Sequence, residues 1–268
     1  MSRLPFTKMH GAGNDFIMID GRDLPDEVLH RDRIAALCAR RTGIGADGLI
    51  IVGEEGPDTV RMTYYNADGG EADMCGNGAR CTVAFAHGCG LLGRRGTLLT
   101  RPGALEAVVH GPADVEVELP AFRDLALDLA LDQSPYAVHH HCDTGVPHLV
   151  IPVDDLDAVA LDEHGRTLRF HERFAPAGVN VNWITADTTT GEWRLRTYER
   201  GVEGETLACG TGASASAVVL VTTGQAQSPV AVRTRGGDLL TIGVDLESGR
   251  LLLRGPAVIA YSGELSHD

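Results

Sequence analysis

The sequence predicts an α+β protein built of two pseudo-symmetric domains, each a mostly antiparallel sheet wrapped around a central helix. Three observations carry this reading. Stretches of the second half repeat stretches of the first in one register: "RMTYYNADG" at 61–69 with "RLRTYERGV" at 194–202, and "CGNGA" from Cys75 with "CGTGA" from Cys209. "GADGLI" from Gly45 meets "GVNVNWI" from Gly178, and "GNDFI" from Gly13 meets "GVPHLVI" from Gly145, all at offsets of 132 to 134. Short matches arising by chance rarely keep one register over four segments, so the chain reads as an internal duplication. The apolar runs are short and rich in valine and leucine, and 33 glycines and 12 prolines supply tight turns between strands.

Taken in order, "NDFIMID" reads as a strand, and "EVLHRDRIAALCARR" at 27–41 as a helix in which Val28, Ile34, Leu37 and Cys38 recur at helical spacing. Strands follow at "LIIV" and "VRMTYYN", then a loop and a helix opened by the Cys-Gly-Asn/Thr-Gly-Ala motif. That helix reads "GARCTVAFAHGCG" in the first half and "GASASAVVLVTTG" in the second, each ending at glycine. Antiparallel strands close each half: "GTLLTRPG", "ALEAVVHG" and "DVEVELP" in one, "PVAVRTRGG", "DLLTIGVD" and "GRLLLRG" in the other. "LPAFRDLALDLALDQSP" at 119–135 reads as their connection. The expected domains are 1–118, carrying Cys75, and 119–268, carrying Cys209, with the last residues packing back on the first half and an active-site cleft between the two.

At 268 residues the chain is long enough to bury a sizeable core. Its formal charge of −14 argues against nucleic acid and anionic membrane surfaces as partners, because phosphate would be repelled. No apolar run reaches the length of a membrane span, and the N-terminus lacks the basic-then-apolar order of a signal peptide, so the expectation is a cytoplasmic protein. Six cysteines in a chain this long read as reduced thiols instead of a disulfide framework. Lys8 is the only lysine, which leaves covalent pyridoxal phosphate chemistry a single candidate.

Cysteine directly before Gly-Asn-Gly at a helix start sits at the positive end of the helix dipole, which favours thiolate. If the halves are related by a pseudo-twofold axis, Cys75 and Cys209 are equivalent and approach one cleft from opposed helix N-termini. The backbone N–H groups of Gly76, Asn77, Gly210 and Thr211 then form an anion site between the thiols. A substrate carboxylate held there offers its α-carbon to sulfur on either face. A thiolate can remove the α-proton from one side while a thiol protonates the other, with no cofactor. An α-proton is far less acidic than a thiol, so the developing enediolate needs aimed dipoles in a dry site.

The motifs "HGAGNDF", "GIGADGL", "NADGGEADMCGNGARC", "TGVPH", "GVNVN" and "YERGVEGETLACGTGAS" resemble those of the diaminopimelate epimerases, racemases independent of pyridoxal phosphate, over essentially the whole chain. Proline racemases and phenazine-pathway isomerases form a looser superfamily whose diagnostic segments differ. The resemblance implies that Cys75 and Cys209 are the acid/base pair. It implies that Asn14, Asn66, Asn180, Glu199 and Arg200 read the substrate's amino and carboxylate groups, and that Gly76, Asn77, Gly210 and Thr211 hold the carboxylate of the reacting centre. His148 and Glu199 would tune the thiols, and Arg200 would bind the distal carboxylate through its planar fork. It further implies a small amino-acid substrate, no cofactor and a homodimer.

Two positions depart from the common pattern: Gly48 stands where many members carry glutamine, and Val146 where many carry asparagine. Both fall on substrate recognition, which leaves open a racemase of the same fold acting on another amino acid such as histidine. A non-enzymatic amino-acid- or metal-binding module and a cysteine hydrolase with His148 as base are further readings, but neither accounts for a duplicated cysteine motif. "HHHCD" at 139–143 has no second cluster at zinc-site spacing, so no metal is expected. "GAGNDF" precedes a strand and lacks the dinucleotide fingerprint. Cys38, Cys81 and Cys89 lie in helical patterns and read as small core residues.

Overall fold

Two strand orders of the same design account for the chain. The computed structural model describes residues 3–22, 24 and 30–266. It divides into one unit of residues 1–117 with 255–268 and a second of residues 118–254.

In the first unit β1 (Arg3–Gly11) and β2 (Asn14–Asp20) form a hairpin, α1 (Arg31–Cys38) follows, and β3 (Gly48–Gly56) and β4 (Thr59–Asn66) form a second hairpin. The short β5 (Glu71–Ala72) leads to α2 (Gly76–Gly88), then to β6 (Arg95–Leu99), β7 (Ala104–Gly111) and β8 (Asp114–Leu119). The sheet is mostly antiparallel, with two parallel pairs, β2–β3 and β4–β6. Parallel neighbours require a crossover, and α1 and α2 lie in those two connections.

The second unit repeats the pattern. Its strands are β9 (Arg123–Ala126), β10 (His140–Asp143), β11 (Pro147–Pro152), β12 (Asn180–Asp187), β13 (Glu192–Glu199), β14 (Gly204–Thr206), β15 (Val230–Arg233), β16 (Leu239–Val244) and β17 (Leu251–Pro256). Its helices are α3 (Leu161–Arg169) and α4 (Gly210–Thr222). The parallel pairs are β11–β12 and β13–β15, again spanned by the two helices. β9 lies inside the stretch that reads from sequence as a bare connection: its Ala126 pairs with His141 of β10. The final strand β18 (Val258–Ser266) returns to the first unit, antiparallel to β1.

The duplication extends to register. Leu49 pairs with Tyr65 in the first unit and Val181 with Tyr198 in the second. Phe16 pairs with Gly48, and His148 with Asn180. Gly48 is therefore the counterpart of Asn180, one residue off the alignment made through Gly45 and Gly178, because Gly45 stands three residues before the start of β3 and Gly178 two before that of β12.

Each central helix is buried almost all round, as expected of a helix that packs on strands from several directions. α2 touches β1, β2, β3, β4 and β7, and α4 touches β10, β11, β12, β15 and β16. Small residues let the strands approach. The hydroxyls are satisfied within the helix: Ser214 donates to the Gly210 carbonyl at 2.9 Å and Ser216 to that of Gly212 at 2.8 Å. Both helices end in the same motif. Gly90 (φ 73°) donates to His87 and Leu91 to Ala86, while Gly224 (φ 71°) donates to Val221 and Gln225 to Leu220.

α1 is shorter than the sequence pattern suggests. Ala39 is already extended, and the loop after it returns to cap the helix: Ile44 and Gly45 donate to the Leu37 carbonyl and Ala46 to that of Cys38. Ile34, Leu37 and Cys38 are buried as their spacing predicts, and Val28 lies outside the described residues.

Candidate active site

Each motif cysteine is the N-cap of its central helix: Cys75 on α2 and Cys209 on α4, both with extended backbone. The helix-opening N–H groups of Gly76 and Asn77 in one unit, and of Gly210 and Thr211 in the other, follow directly. The two caps differ in what meets the sulfur. Cys209 Sγ accepts the Gly212 N–H at 3.4 Å and lies 3.4 Å from Thr211 Oγ1. Cys75 Sγ makes no such cap and lies 3.3 Å from Asn14 Oδ1.

In the first unit the structure brings Asn14, Cys75 and Asn77 together, with Asn77 Nδ2 donating to Asn14 Oδ1 at 3.4 Å. Asn14 Nδ2 donates to Asp47 Oδ2 at 2.7 Å. Behind Asp47 lies a charged network: Arg40 bridges Asp47 at 2.6 Å and Asp15 at 2.8 Å, and buried Lys8 meets Asp15 at 2.6 Å and donates to the Gly45 carbonyl. Burial alone would raise the Asp15 carboxyl, but the hydrogen bonds from Arg40 and Lys8 outweigh it and hold it down to about 2. Lys8 is thus a structural ion-pair partner. Arg80, fully buried, donates to Asn77 Oδ1 at 2.8 Å and to the carbonyls of Gly76 and Pro256 at 3.3 Å.

Asn66 is exposed at the end of β4, in backbone register with Gly48. Gly48 has no room for a side chain: a Cβ there would collide with the Tyr65 carbonyl oxygen and the Tyr64 ring. The Tyr64 ring occupies the space next to this position, packed edge-on against Phe16.

In the second unit Asn180 is fixed at both ends, donating to the Pro147 carbonyl at 3.2 Å and accepting the Arg200 N–H at 2.8 Å. Arg200 Nη1 reaches the Ala177 carbonyl at 3.5 Å. Buried Arg169 contacts the same carbonyl and bridges Glu203 at 3.1 Å, which pins the turn that follows Glu199 and Arg200. Glu199, at the end of β13, is half-buried. Thr144 Oγ1 donates to the Thr211 carbonyl at 2.9 Å, tying the loop before β11 to the start of α4.

His148 is fully buried on β11, and burial, with smaller effects of His141 and Arg200, pushes it down to about 3. Its ring is therefore neutral. Nδ1 accepts from Asn182 Nδ2 at 3.0 Å, which puts the proton on Nε2, a buried atom with no hydrogen-bond partner among the described residues. Asn182 also accepts from Thr197 Oγ1 at 2.9 Å. It stands over the cysteine motif, since a Cβ at Gly212 would collide with Asn182 Oδ1 and lie 3.3 Å from Cys209 Sγ.

Three residues that hold this geometry, Asp47, Arg80 and Asn182, were not singled out by the motifs. Arg80 carries a sequence signal, an arginine inside the mostly small and apolar run "GARCTVAFA" of α2. Of the other thiols, burial pushes Cys81 and Cys142 up to about 12 and Cys38 up to about 11, so they stay neutral, whereas Cys89, expected in the core, is exposed just past the end of α2. Among the described residues no three His, Cys, Asp or Glu side chains are grouped to hold a metal ion.

The fold has solved counterparts. The chain superposes on a PhzF-family phenazine biosynthesis protein from Bacillus anthracis with a TM-score of 0.73, at 18% identity over 100% of both chains. It superposes on a probable proline racemase from Agrobacterium radiobacter K84 with a TM-score of 0.73, at 16% identity over 99% of this chain and 93% of that one. In sequence it is 39% identical to the diaminopimelate epimerase of Aquifex aeolicus over 99% of both chains. It is 40% identical to that of Gemmatimonas aurantiaca over 98% of this chain and 99% of the relative. A family model described as diaminopimelate epimerase matches residues 6–119 and 141–259, taking in both cysteine-capped helices. With the family's model matched across both halves and relatives near 40% identity along its full length, the chain belongs to the diaminopimelate epimerase family.

Proposed function

We propose that this protein is an isomerase that interconverts LL- and meso-2,6-diaminopimelate without a cofactor, by two-base proton transfer between Cys75 and Cys209. The observation that carries the reading is the pair of cysteine N-caps on duplicated helices, in a chain whose family membership extends over both. One sulfur, as thiolate, removes the α-proton, and the other, as thiol, protonates the opposite face. The N–H groups of Gly76, Asn77, Gly210 and Thr211 hold the carboxylate and stabilise the enediolate. Asn14, Asn66, Asn180 and Glu199 read the polar groups of the substrate, and Arg200 takes the distal carboxylate. His148 acts as a neutral dipole beside the second motif, since it stays uncharged. The setting is lysine and peptidoglycan precursor biosynthesis in the cytoplasm; no helix among the described residues is long and apolar enough to cross a membrane. A homodimer is part of the proposal, supported by the exposed Ile259 and Tyr261 on β18.

LL-diaminopimelate in D₂O is expected to gain deuterium at one α-carbon with the wild-type protein and none with Cys75→Ala or Cys209→Ala. Exchange at the normal rate in either variant would end the two-base mechanism. The filled space at Gly48 and the apolar Val146 make a panel of other L-amino acids, resolved by chiral chromatography, the matching test of substrate. Turnover of another amino acid in preference to diaminopimelate would replace the substrate and leave the reaction type.

A further inference from the structure

A row of side chains in the first unit has its polarity set from both ends by opposite charges. At one end Arg80 can only donate, and it donates to Asn77 Oδ1 at 2.8 Å, so the Asn77 amide turns its Nδ2 toward Asn14. At the other end the Asp47 carboxylate, bridged by Arg40, can only accept, and it takes Asn14 Nδ2 at 2.7 Å. Both constraints agree on one atom: Asn14 must face Cys75 and Asn77 with Oδ1. Since that oxygen has no proton, Cys75 Sγ, 3.3 Å away, is the donor. A hydrogen bond donated by the thiol favours the thiol over the thiolate. Cys209 has the opposite partner, the Gly212 N–H, which favours the thiolate.

We propose that Asp47 is a positioning residue that, through Asn14, holds Cys75 as the resting thiol and leaves Cys209 as the base. This rests on the two-thiol reading above. In the favoured form the Cys209 thiolate takes the α-proton, the C–H electron pair passes into the enediolate, and Cys75 S–H protonates the opposite face. Cys209 is then the thiol and Cys75 the thiolate, set against an oxygen that cannot donate to it. The two enzyme forms are therefore unequal, and the one that begins with Cys209 predominates without substrate. The charged and titratable groups around the relay are Lys8 on β1, Asp15 on β2, Cys38 at the end of α1, Arg40 just after it, and Arg80 and Cys81 on α2.

The test is site-resolved alkylation by iodoacetamide across pH, each cysteine peptide quantified by mass spectrometry. The pH midpoint of reactivity, unlike the rate, does not depend on how readily the reagent reaches each sulfur. In the wild type the Cys75 midpoint is expected above that of Cys209; a midpoint equal or lower would overturn the assignment without any variant. In Asp47→Asn the new amide can accept or donate, so Asn14 can turn its Nδ2 to the sulfur. The Cys75 midpoint is then expected to fall by about one pH unit while that of Cys209 stays. A variant that loses activity with both midpoints unmoved would reduce Asp47 to a structural part. Failure of the two-base reading would instead appear in the deuterium exchange of the single-cysteine variants, which these midpoints do not enter.

Discussion

His148 shows how one buried side chain ties the candidate site to stability. Its folded-state value of about 3 lies below the ordinary histidine value of 6.5, so between these limits the unfolded chain binds a proton that the folded chain does not. Stability then rises with pH across that window and is lost as pH falls below 6.5. Acidification from pH 7 to pH 5 is expected to cost about 2 kcal/mol through this residue. Buried His139 and His140, also pushed down by burial, act with the same sign. Urea unfolding of the wild type and His148→Gln at the two pH values checks this: the variant should show most of that loss removed, and equal slopes would contradict it. The sequence named Cys75 and Cys209 through the duplicated helix starts, and His148 and Asn14 through the roles the resemblance attaches to them. It did not name Asp47 and Asn182 as supports, because the bonds that give those residues their roles join positions more than 30 residues apart in the chain.

At the level of elements the two central helices were the most legible part of the fold. Cysteine at the N-cap and glycine beyond the C-terminus bracket each one, and both brackets are found in the structure. Less legible was the end of α1, which a returning loop caps from a distance, and the strand β9 within an apparent linker. The one-residue slip that makes Gly48 the counterpart of Asn180 was also hidden, since a turn glycine can stand one residue nearer or farther from its strand without changing the strand pattern. The helix ends give a clean prediction. Gly224 has φ 71°, and a Cβ added there would meet no neighbouring atom within 4 Å, so a side chain at this position faces only its own backbone strain. Gly224→Ala is expected to lower stability by about 1 kcal/mol and Gly224→Asn by less, read from the urea midpoint at constant slope. Equal stability of Gly224→Ala and wild type would remove the left-handed cap as a contributor.

Across the whole molecule, the chain leaves the first unit, builds the second, and returns to complete the first. β18 pairs with β1 from Arg3 to His10, and its partners are not only backbone: Gly263 lies against the Phe6 ring, and Tyr261 packs edge-on to the same ring at 6.1 Å. Phe6 and Leu4 belong to a cluster with Ile17, Ile19, Ile34 and Leu49, and Leu265 packs against it. Removing β18 would therefore open a row of unpaired N–H and C=O groups on β1 and uncover one side of that cluster. The second unit has its own cluster, around Trp183, Leu149 and Tyr198, which draws on no residue of β18. A chain ending at Pro256 is expected to exchange the amide hydrogens of β1, β2 and β3 at least about tenfold faster, while those of β12 and β13 keep most of their protection. Uniform loss of protection across both units would mean that the duplicated halves unfold as one cooperative body. Unchanged protection in β1 would mean that the returning strand adds nothing to the core it covers.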